Sequence, residues 1–367
     1  VQTCALPIFP AGTGKINKEG ILYYHRIIDA CLKIGLIPYV TIYHWDLPFE
    51  LEKEGGWANP KILKWFNRYV TLLANEYGDK VKNWIVLNEP LSFTALGYML
   101  GIHAPGKKGL QYFYPAIHHA ALAQAEGGRI LRTEVNNAYI GSSFSCSEII
   151  PYSDREEDIK AAERIDILLN RLFLEPLKGN GYPYCSHFPL IDKFSLSMRS
   201  WRYHKKLEFD FDFIGLQNYF PIIVKKNGLI PLVNAREVKA RNRNVPHTDL
   251  GWEVNPDSFY SIVKKISQSF PGKDILITEN GASYKDELID GNIRDELRTN
   301  YFKDHLYALS RLKQEGVPVK GYFAWTLTDN FEWSEGYQAK FGIVHVDRKT
   351  LKRTVKDSGL WWQSFLK

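Results

Sequence analysis

The sequence predicts an α/β chain whose repeated strand–helix units close into a (β/α)8 TIM barrel. Three observations carry that expectation. Short β-rich runs alternate with long amphipathic stretches, and no Pro/Gly/Ser-rich linker divides them. The short runs are apolar on both faces, as in parallel strands covered by helices. Their C-terminal ends carry polar or aromatic residues in five cases: His44, Asn88-Glu89, Gln217, Glu279 and Trp325. In a barrel such ends converge on one mouth. In an open doubly wound sheet only those beside the switch point share a crevice.

The elements follow in order. Asn17–Ile34 reads as a helix capped by Asn17, with Gly35 closing it before a strand at Leu36–Tyr43. Lys61–Tyr77 is a helix and Val81–Leu87 a strand. Tyr112–Arg132 is a helix and Ala138–Ser145 a strand. Glu156–Pro176 is a helix, followed by a strand at Phe211–Asn218 and a loop reaching Val254. Pro256–Phe270 is a helix with Pro at its start. Ile275–Thr278 is a strand running into Glu279, Asp295–Glu315 a helix, Val319–Trp325 a strand and Lys356–Phe365 a closing helix.

Composition narrows the class. The chain has 367 residues, 45% hydrophobic and 24% charged, which is ordinary globular material that an α/β barrel uses as one domain. Net charge is +6 and spread along the chain. Its most basic stretch, Lys239–Asn244, lacks the interleaved aromatics of a single-strand binder and reads as a solvated loop, so no nucleic-acid partner is expected. No apolar run is long enough to span a membrane. Cys4, Cys31, Cys146 and Cys185 form no CxxC pair and no metal spacing, so free thiols and a cytoplasmic, reducing setting are the default. Gly12-Thr13-Gly14-Lys15 reads as a turn, and His118-His119, without metalloprotease spacing, as packing.

Two strand ends carry the chemistry. Lys82–Pro90 (KNWIVLNEP) and Asp274–Gly281 (DILITENG) each end abruptly on a carboxylate beside an Asn. A single strand-end Glu is more often part of an ordinary ion pair. Two of them across a barrel mouth suit glycosyl transfer, in which one protonates the leaving oxygen and the other attacks the anomeric carbon. Sugars present C–H faces and polar edges, so Trp beside Glu, His and Asn strengthens this reading. His44-Trp45-Asp46-Leu47-Pro48 and the segment from Trp325 to Trp333 supply both.

With these motifs the chain resembles family 1 glycoside hydrolases, the β-glucosidase family. Leu87-Asn88-Glu89-Pro90 is similar to its acid/base motif and Ile277-Thr278-Glu279-Asn280-Gly281 to its nucleophile motif. His44–Pro48, Asp329–Trp333, Glu335-Gly336-Tyr337 and Phe341-Gly342 match as well, collinear from Phe9 to the C-terminus. The resemblance implies that Glu279 is the nucleophile and Glu89 the acid/base, their carboxyls about 5–5.5 Å apart as in retaining enzymes, with Glu89 held protonated by burial and by the charge of Glu279. It implies that His44, Asn88, Trp325, Glu332 and Trp333 hold the sugar. Trp252 lines the leaving-group side, and Trp45 and Phe341 belong to the matching segments. No metal or organic cofactor is implied. The expected substrates are small β-glycosides or oligosaccharides, unphosphorylated because the Glu332 carboxylate would repel a 6-phosphate. Glucoside, galactoside and fucoside stay open.

Two departures qualify the resemblance. Residues 1–8 (VQTCALPI) do not look like the family and are expected to be a non-native extension on a truncated frame. Residues 9–367 then form one glycosidase domain carrying barrel strands three to eight, without the first two. At Phe213-Ile214-Gly215-Leu216-Gln217-Asn218-Tyr219, Gln217 replaces the family Asn, and Tyr219 keeps the place of a Tyr that touches the nucleophile. A second register would put Phe220 there. A transglycosylase using the same two Glu and a sugar-binding barrel without catalysis are the rival functions.

Overall fold

The computed structural model describes residues 8–197, 205–230 and 232–367. Residues 1–7, including Cys4 and most of the extension expected at 1–8, lie outside the described residues. The six expected strands form: β1 (Tyr39–Tyr43), β2 (Asn83–Asn88), β3 (Tyr139–Ser145), β4 (Phe213–Gln217), β5 (Asp274–Asn280) and β6 (Val319–Ala324). The chain falls into two compact units, Val1–Ser145 with Ile167–Gly215 and Cys146–Asp166 with Leu216–Lys367. β4 begins in the first unit and ends in the second.

In the first unit β1 pairs parallel with β2, Tyr39 opposite Asn83 and Tyr43 opposite Leu87. β2 pairs parallel with β3, with an irregularity between Ile85 and Asn88. β3 neighbours the start of β4. Strand burial is nearly continuous, as the two-sided apolar pattern requires. Helix Lys18–Lys33 starts where Asn17 accepts a hydrogen bond from the Glu19 amide at 3.2 Å. Helix Lys61–Tyr77 buries Ile62, Phe66, Tyr69, Val70, Leu73 and Tyr77, a helical stripe facing inward. Helix Leu110–Glu134 packs against it and against β2. Gly127 permits this approach, since a Cβ there would stand 2.8 Å from Val86. Trp57, Trp84, Tyr77 and Phe113 are fully buried, each contributing about 2–3 kcal/mol by its removal from water.

In the second unit the end of β4 neighbours β5, which pairs parallel with β6, Val319 opposite Ile275 and Ala324 opposite Asn280. Helix Pro256–Ser269 is capped by Asn255, which accepts from the Ser258 amide at 3.0 Å. It packs against helix Glu296–Gln314, and helix Asp357–Phe365 closes the unit.

Three expectations change. The helix expected over Glu156–Pro176 stops at Asp166 and passes into a π-helical turn, Ile167–Arg171, and a 3-10 turn, Pro176–Lys178. The loop expected up to Val254 contains strands Ile222–Lys226 and Ala235–Glu237. These form a three-stranded sheet with Ile149–Pro151. Strands of three to five residues are too short to show a period in sequence. Helix Pro90–Tyr98, directly after Glu89, was not expected. Its apolar residues run round the helix, so no amphipathic stripe marks it.

Buried histidines make stability depend on pH. Burial lowers His44, His118 and His305 from 6.5 to about 4. His118 lies 3.1 Å from the Tyr182 hydroxyl, and His305 stacks on Tyr301 with Nδ1 at 2.7 Å from its carbonyl. Above pH 6.5 these rings are neutral whether the chain is folded or unfolded. As pH falls toward 4 the unfolded chain takes up protons that the folded chain refuses, so stability is lost across that window. Calorimetry between pH 7 and 5 is expected to show Tm falling with proton uptake on unfolding. A flat Tm over that range would contradict these environments.

Candidate active site

In the first unit the expected residues His44, Trp45, Asn88 and Glu89 gather at the ends of β1 and β2. The Asn88 amide Nδ2 lies 3.3 Å from His44 Nε2, and Trp45 Nε1 donates to the Asn88 carbonyl at 3.1 Å. The Tyr43 hydroxyl donates to the Trp45 carbonyl at 2.9 Å and accepts from Trp57 Nε1 at 3.0 Å. Burial holds the His44 imidazole near a pKa of about 4, so it is neutral near pH 7 and can accept or donate a single hydrogen bond at each nitrogen. Two backbone positions here are left-handed, Trp45 at φ 77° and Glu89 at φ 45°. Non-glycine residues carry such angles at a cost, and functional sites are where that cost is found. The Glu89 amide donates to the Ser143 carbonyl at 2.9 Å. Its own carbonyl accepts from the Ser92 amide, which fixes the Glu89 backbone at the start of helix Pro90–Tyr98. His103, which sequence reasoning passed over, has its ring 5.5 Å from that of Trp45.

In the second unit Gln217, Tyr219, Trp252, Glu279, Trp325, Glu332, Trp333 and Phe341 lie on the ends of β4, β5 and β6 and on the loops that follow them. The Tyr219 hydroxyl donates to Glu279 Oε2 at 2.7 Å. The register with Tyr219, not Phe220, at the carboxylate is therefore the one the fold adopts. Gln217 is fully buried, its carbonyl accepting from the Cys146 amide at 3.0 Å. Asn280 donates to the Asn218 carbonyl and the Tyr301 hydroxyl and accepts from the Tyr322 hydroxyl at 2.6 Å, so three partners hold the residue beside Glu279. Tyr219, Trp252 and Phe341 form an aromatic group, with ring centres 5.3 to 6.1 Å apart.

β6 ends against the same strand. The Trp325 carbonyl comes so near Gly281 that a Cβ there would stand 2.0 Å from it. Only glycine fits at that place in Thr-Glu-Asn-Gly. Glu332 Oε2 accepts from Asn330 Nδ2 at 3.2 Å and from Trp325 Nε1 at 3.4 Å. Burial raises the Glu332 carboxyl above its ordinary value, the two hydrogen bonds working against that rise. Asn330 is a second residue that sequence reasoning missed, although it lies within the quoted Asp329–Trp333 segment.

The third omission is a buried ion cluster behind this loop. Arg298, Asp295, Asp286, Lys356 and Asp329 are all nearly fully buried. Arg298 bonds to Asp295 and, at 3.1 Å, to Asp286, and donates to the carbonyls of Ala282, Tyr284 and Lys340. Lys356 Nζ bonds to Asp286 and, at 3.0 Å, to Asp329. Asp329 also accepts from the Gly342 amide at 3.0 Å and has His345 Nδ1 at 3.2 Å. Asp286, Asp329 and His345 have the spacing of metal ligands, but the Lys356 ammonium occupies the place a cation would take between the two carboxylates. The cluster ties the segment after Glu279 to the segment before Glu332.

A family model described as glycosyl hydrolase family 1 matches residues 6–367. The chain is 40% identical over 365 residues to β-glucosidase A of Thermotoga maritima, covering 98% of this chain and 80% of that protein. The solved family 1 β-glucosidase from Thermotoga maritima has a TM-score of 0.93 at 39% identity, covering 100% of this chain and 81% of that one. The structure of a β-glucosidase from the same organism in complex with glucoimidazole has a TM-score of 0.92 at 39% identity.

Proposed function

This chain belongs to glycosyl hydrolase family 1, with the (β/α)8 barrel fold and β-glucosidase-like hydrolase activity of that family, and from that premise we propose that it is a retaining exo-β-glycosidase. It removes terminal β-D-glucosyl residues from small glycosides or oligosaccharides, with galactosyl and fucosyl residues as the other sugars this reading admits. Residues 9–367 act as one glycosidase domain, a reading supported by a family match that runs continuously through both units.

The observation that carries the reading is the Tyr219 hydroxyl on Glu279 Oε2 at 2.7 Å, at the end of a buried strand. A donated hydrogen bond orients a carboxylate and stabilises its charge, which suits a nucleophile waiting for an electrophilic carbon. In the first step a Glu279 oxygen bonds to the anomeric carbon, the bond from that carbon to the leaving oxygen breaks, and Glu89 gives that oxygen its proton. In the second step Glu89 takes a proton from water, the water oxygen bonds to the anomeric carbon, and Glu279 leaves as the carboxylate. His44 and Asn88 supply hydrogen bonds to sugar hydroxyls. Glu332, with Trp325 and Trp333, supplies acceptors and flat apolar faces. A carboxylate at 332 accepts from hydroxyl groups and repels phosphate, so the sugar is unphosphorylated.

A 2-deoxy-2-fluoro-β-glucosyl probe with a good leaving group tests this directly. After digestion, mass spectrometry is expected to find the fluoroglucosyl adduct on the peptide containing Glu279. A folded protein that turns over glucosides without forming that adduct would contradict the covalent mechanism.

A further inference from the structure

The basic stretch, exposed as its sequence suggests, lies beside Trp252. Lys239 and Arg241 line an open cleft of about 150 Å³, together with Phe220, Trp252 and Glu237. Phe220 and Trp252 stack with ring centres 5.0 Å apart and planes 27° apart, giving the cleft an aromatic lining. Trp252 in turn lies one ring from Tyr219, at 5.3 Å, and the Tyr219 hydroxyl is on Glu279. Trp252 is thus the residue that the charged cleft shares with the aromatic group beside Glu279.

The charges of that rim are unequal. The Lys239 ammonium is exposed and pairs with no carboxylate among the described residues. Arg241 spends one donor on the Asp249 carbonyl at 2.8 Å and keeps its full charge. Arg243, the third cation of the stretch, is neutralised by Glu253. The Asp249 carboxylate acts on the Tyr284 hydroxyl. Against the two cations the cleft sets one carboxylate, Glu237, which leaves a net positive rim around an aromatic lining.

We propose that this cleft makes the enzyme favour aglycones that are planar and carry a carboxylate. The ring of such an aglycone packs against the Trp252–Phe220 stack, and its carboxylate points to Lys239 and Arg241. The proposal rests on the hydrolytic reading above and adds to it the chemical class of the leaving group.

The test compares kcat/KM for phenyl, 4-carboxyphenyl and 4-(trimethylammonio)phenyl β-D-glucosides at low ionic strength, in the natural chain and in Lys239→Glu. Differences in leaving-group reactivity cancel when the same pair of substrates is compared across the two proteins. The carboxyl-over-cation preference is expected to drop about tenfold in Lys239→Glu, to shrink in both proteins at high salt, and to leave the neutral phenyl glucoside within about twofold. An equal preference in both proteins, or a parallel loss on all three substrates, would overturn the proposal while leaving the hydrolytic reading intact. Binding of uncleaved 4-carboxyphenyl 1-thio-β-D-glucoside, followed by tryptophan fluorescence, reads the cleft without turnover. There a weaker Kd in Lys239→Glu supports the proposal, and an unchanged Kd refutes it even if hydrolysis fails.

Discussion

Replacing Glu279 by Gln is expected to lower kcat/KM for β-glucosides by about 10⁵-fold, since the amide cannot bond to the anomeric carbon and no neighbouring group can take its place. The side chain keeps its size and its contact with the Tyr219 hydroxyl, so Tm should change by no more than about 1 °C, as for substitutions away from packing and charge pairs. Glu89→Gln should differ in kind. It removes a proton donor, worth about 10²–10⁴-fold, and the loss should be large for alkyl or sugar leaving groups that need the proton. For a dinitrophenyl glucoside, whose leaving oxygen departs unprotonated, bond cleavage should survive and hydrolysis of the glycosyl-enzyme should become limiting. Steady-state and burst kinetics on the two classes of substrate check this. If both substitutions lowered both substrate classes equally, the separate roles assigned to the two carboxylates would be wrong.

Lys356→Met is expected to cost about 3–5 kcal/mol of stability, because it leaves Asp286 and Asp329 buried without their shared cation. For a chain of 367 residues that corresponds to a fall in Tm of about 5 °C. The effect should reach binding as well. Asp329 precedes Asn330, which donates to Glu332, and the cluster holds Asp329 against the Gly342 amide. Loosening it should raise KM for glucosides several-fold more than it lowers kcat, since Glu332 and Trp333 hold the sugar and not the breaking bond. Thermal melts and a full KM and kcat determination check both parts. An unchanged Tm would show that the cluster is not the anchor its burial suggests.

Much of the arrangement was legible in the chain itself. Alternating periods placed the six strands within a few residues, and Asn17 by its capping chemistry and Pro256 by its fixed φ marked helix starts. Helix Lys61–Tyr77 matched its predicted span because its apolar stripe is wide and regular. Glu89 and Glu279 were legible because each ends an apolar run at a Pro or an Asn-Gly, where a strand must stop. What escaped had no local signal. Helix Pro90–Tyr98 lacks a stripe, and the small sheet around Ile222–Lys226 is too short for one.

The sequence by itself determined the order of strands and helices, the two carboxylates and the family they point to, since each of these is written in residues close together along the chain. Tertiary structure alone decided which distant groups meet. Tyr219 reaches Glu279 across 60 positions, and Lys356 reaches Asp329 across 27. Lys239 and Arg241 became part of a cleft only because the fold set them beside Trp252 and Phe220. A lysine's sequence neighbours do not reveal whether it is solvated, as Lys239 is, or buried between two aspartates, as Lys356 is. Desolvation and pairing depend on what the rest of the chain places around the charge, and that is fixed only on folding.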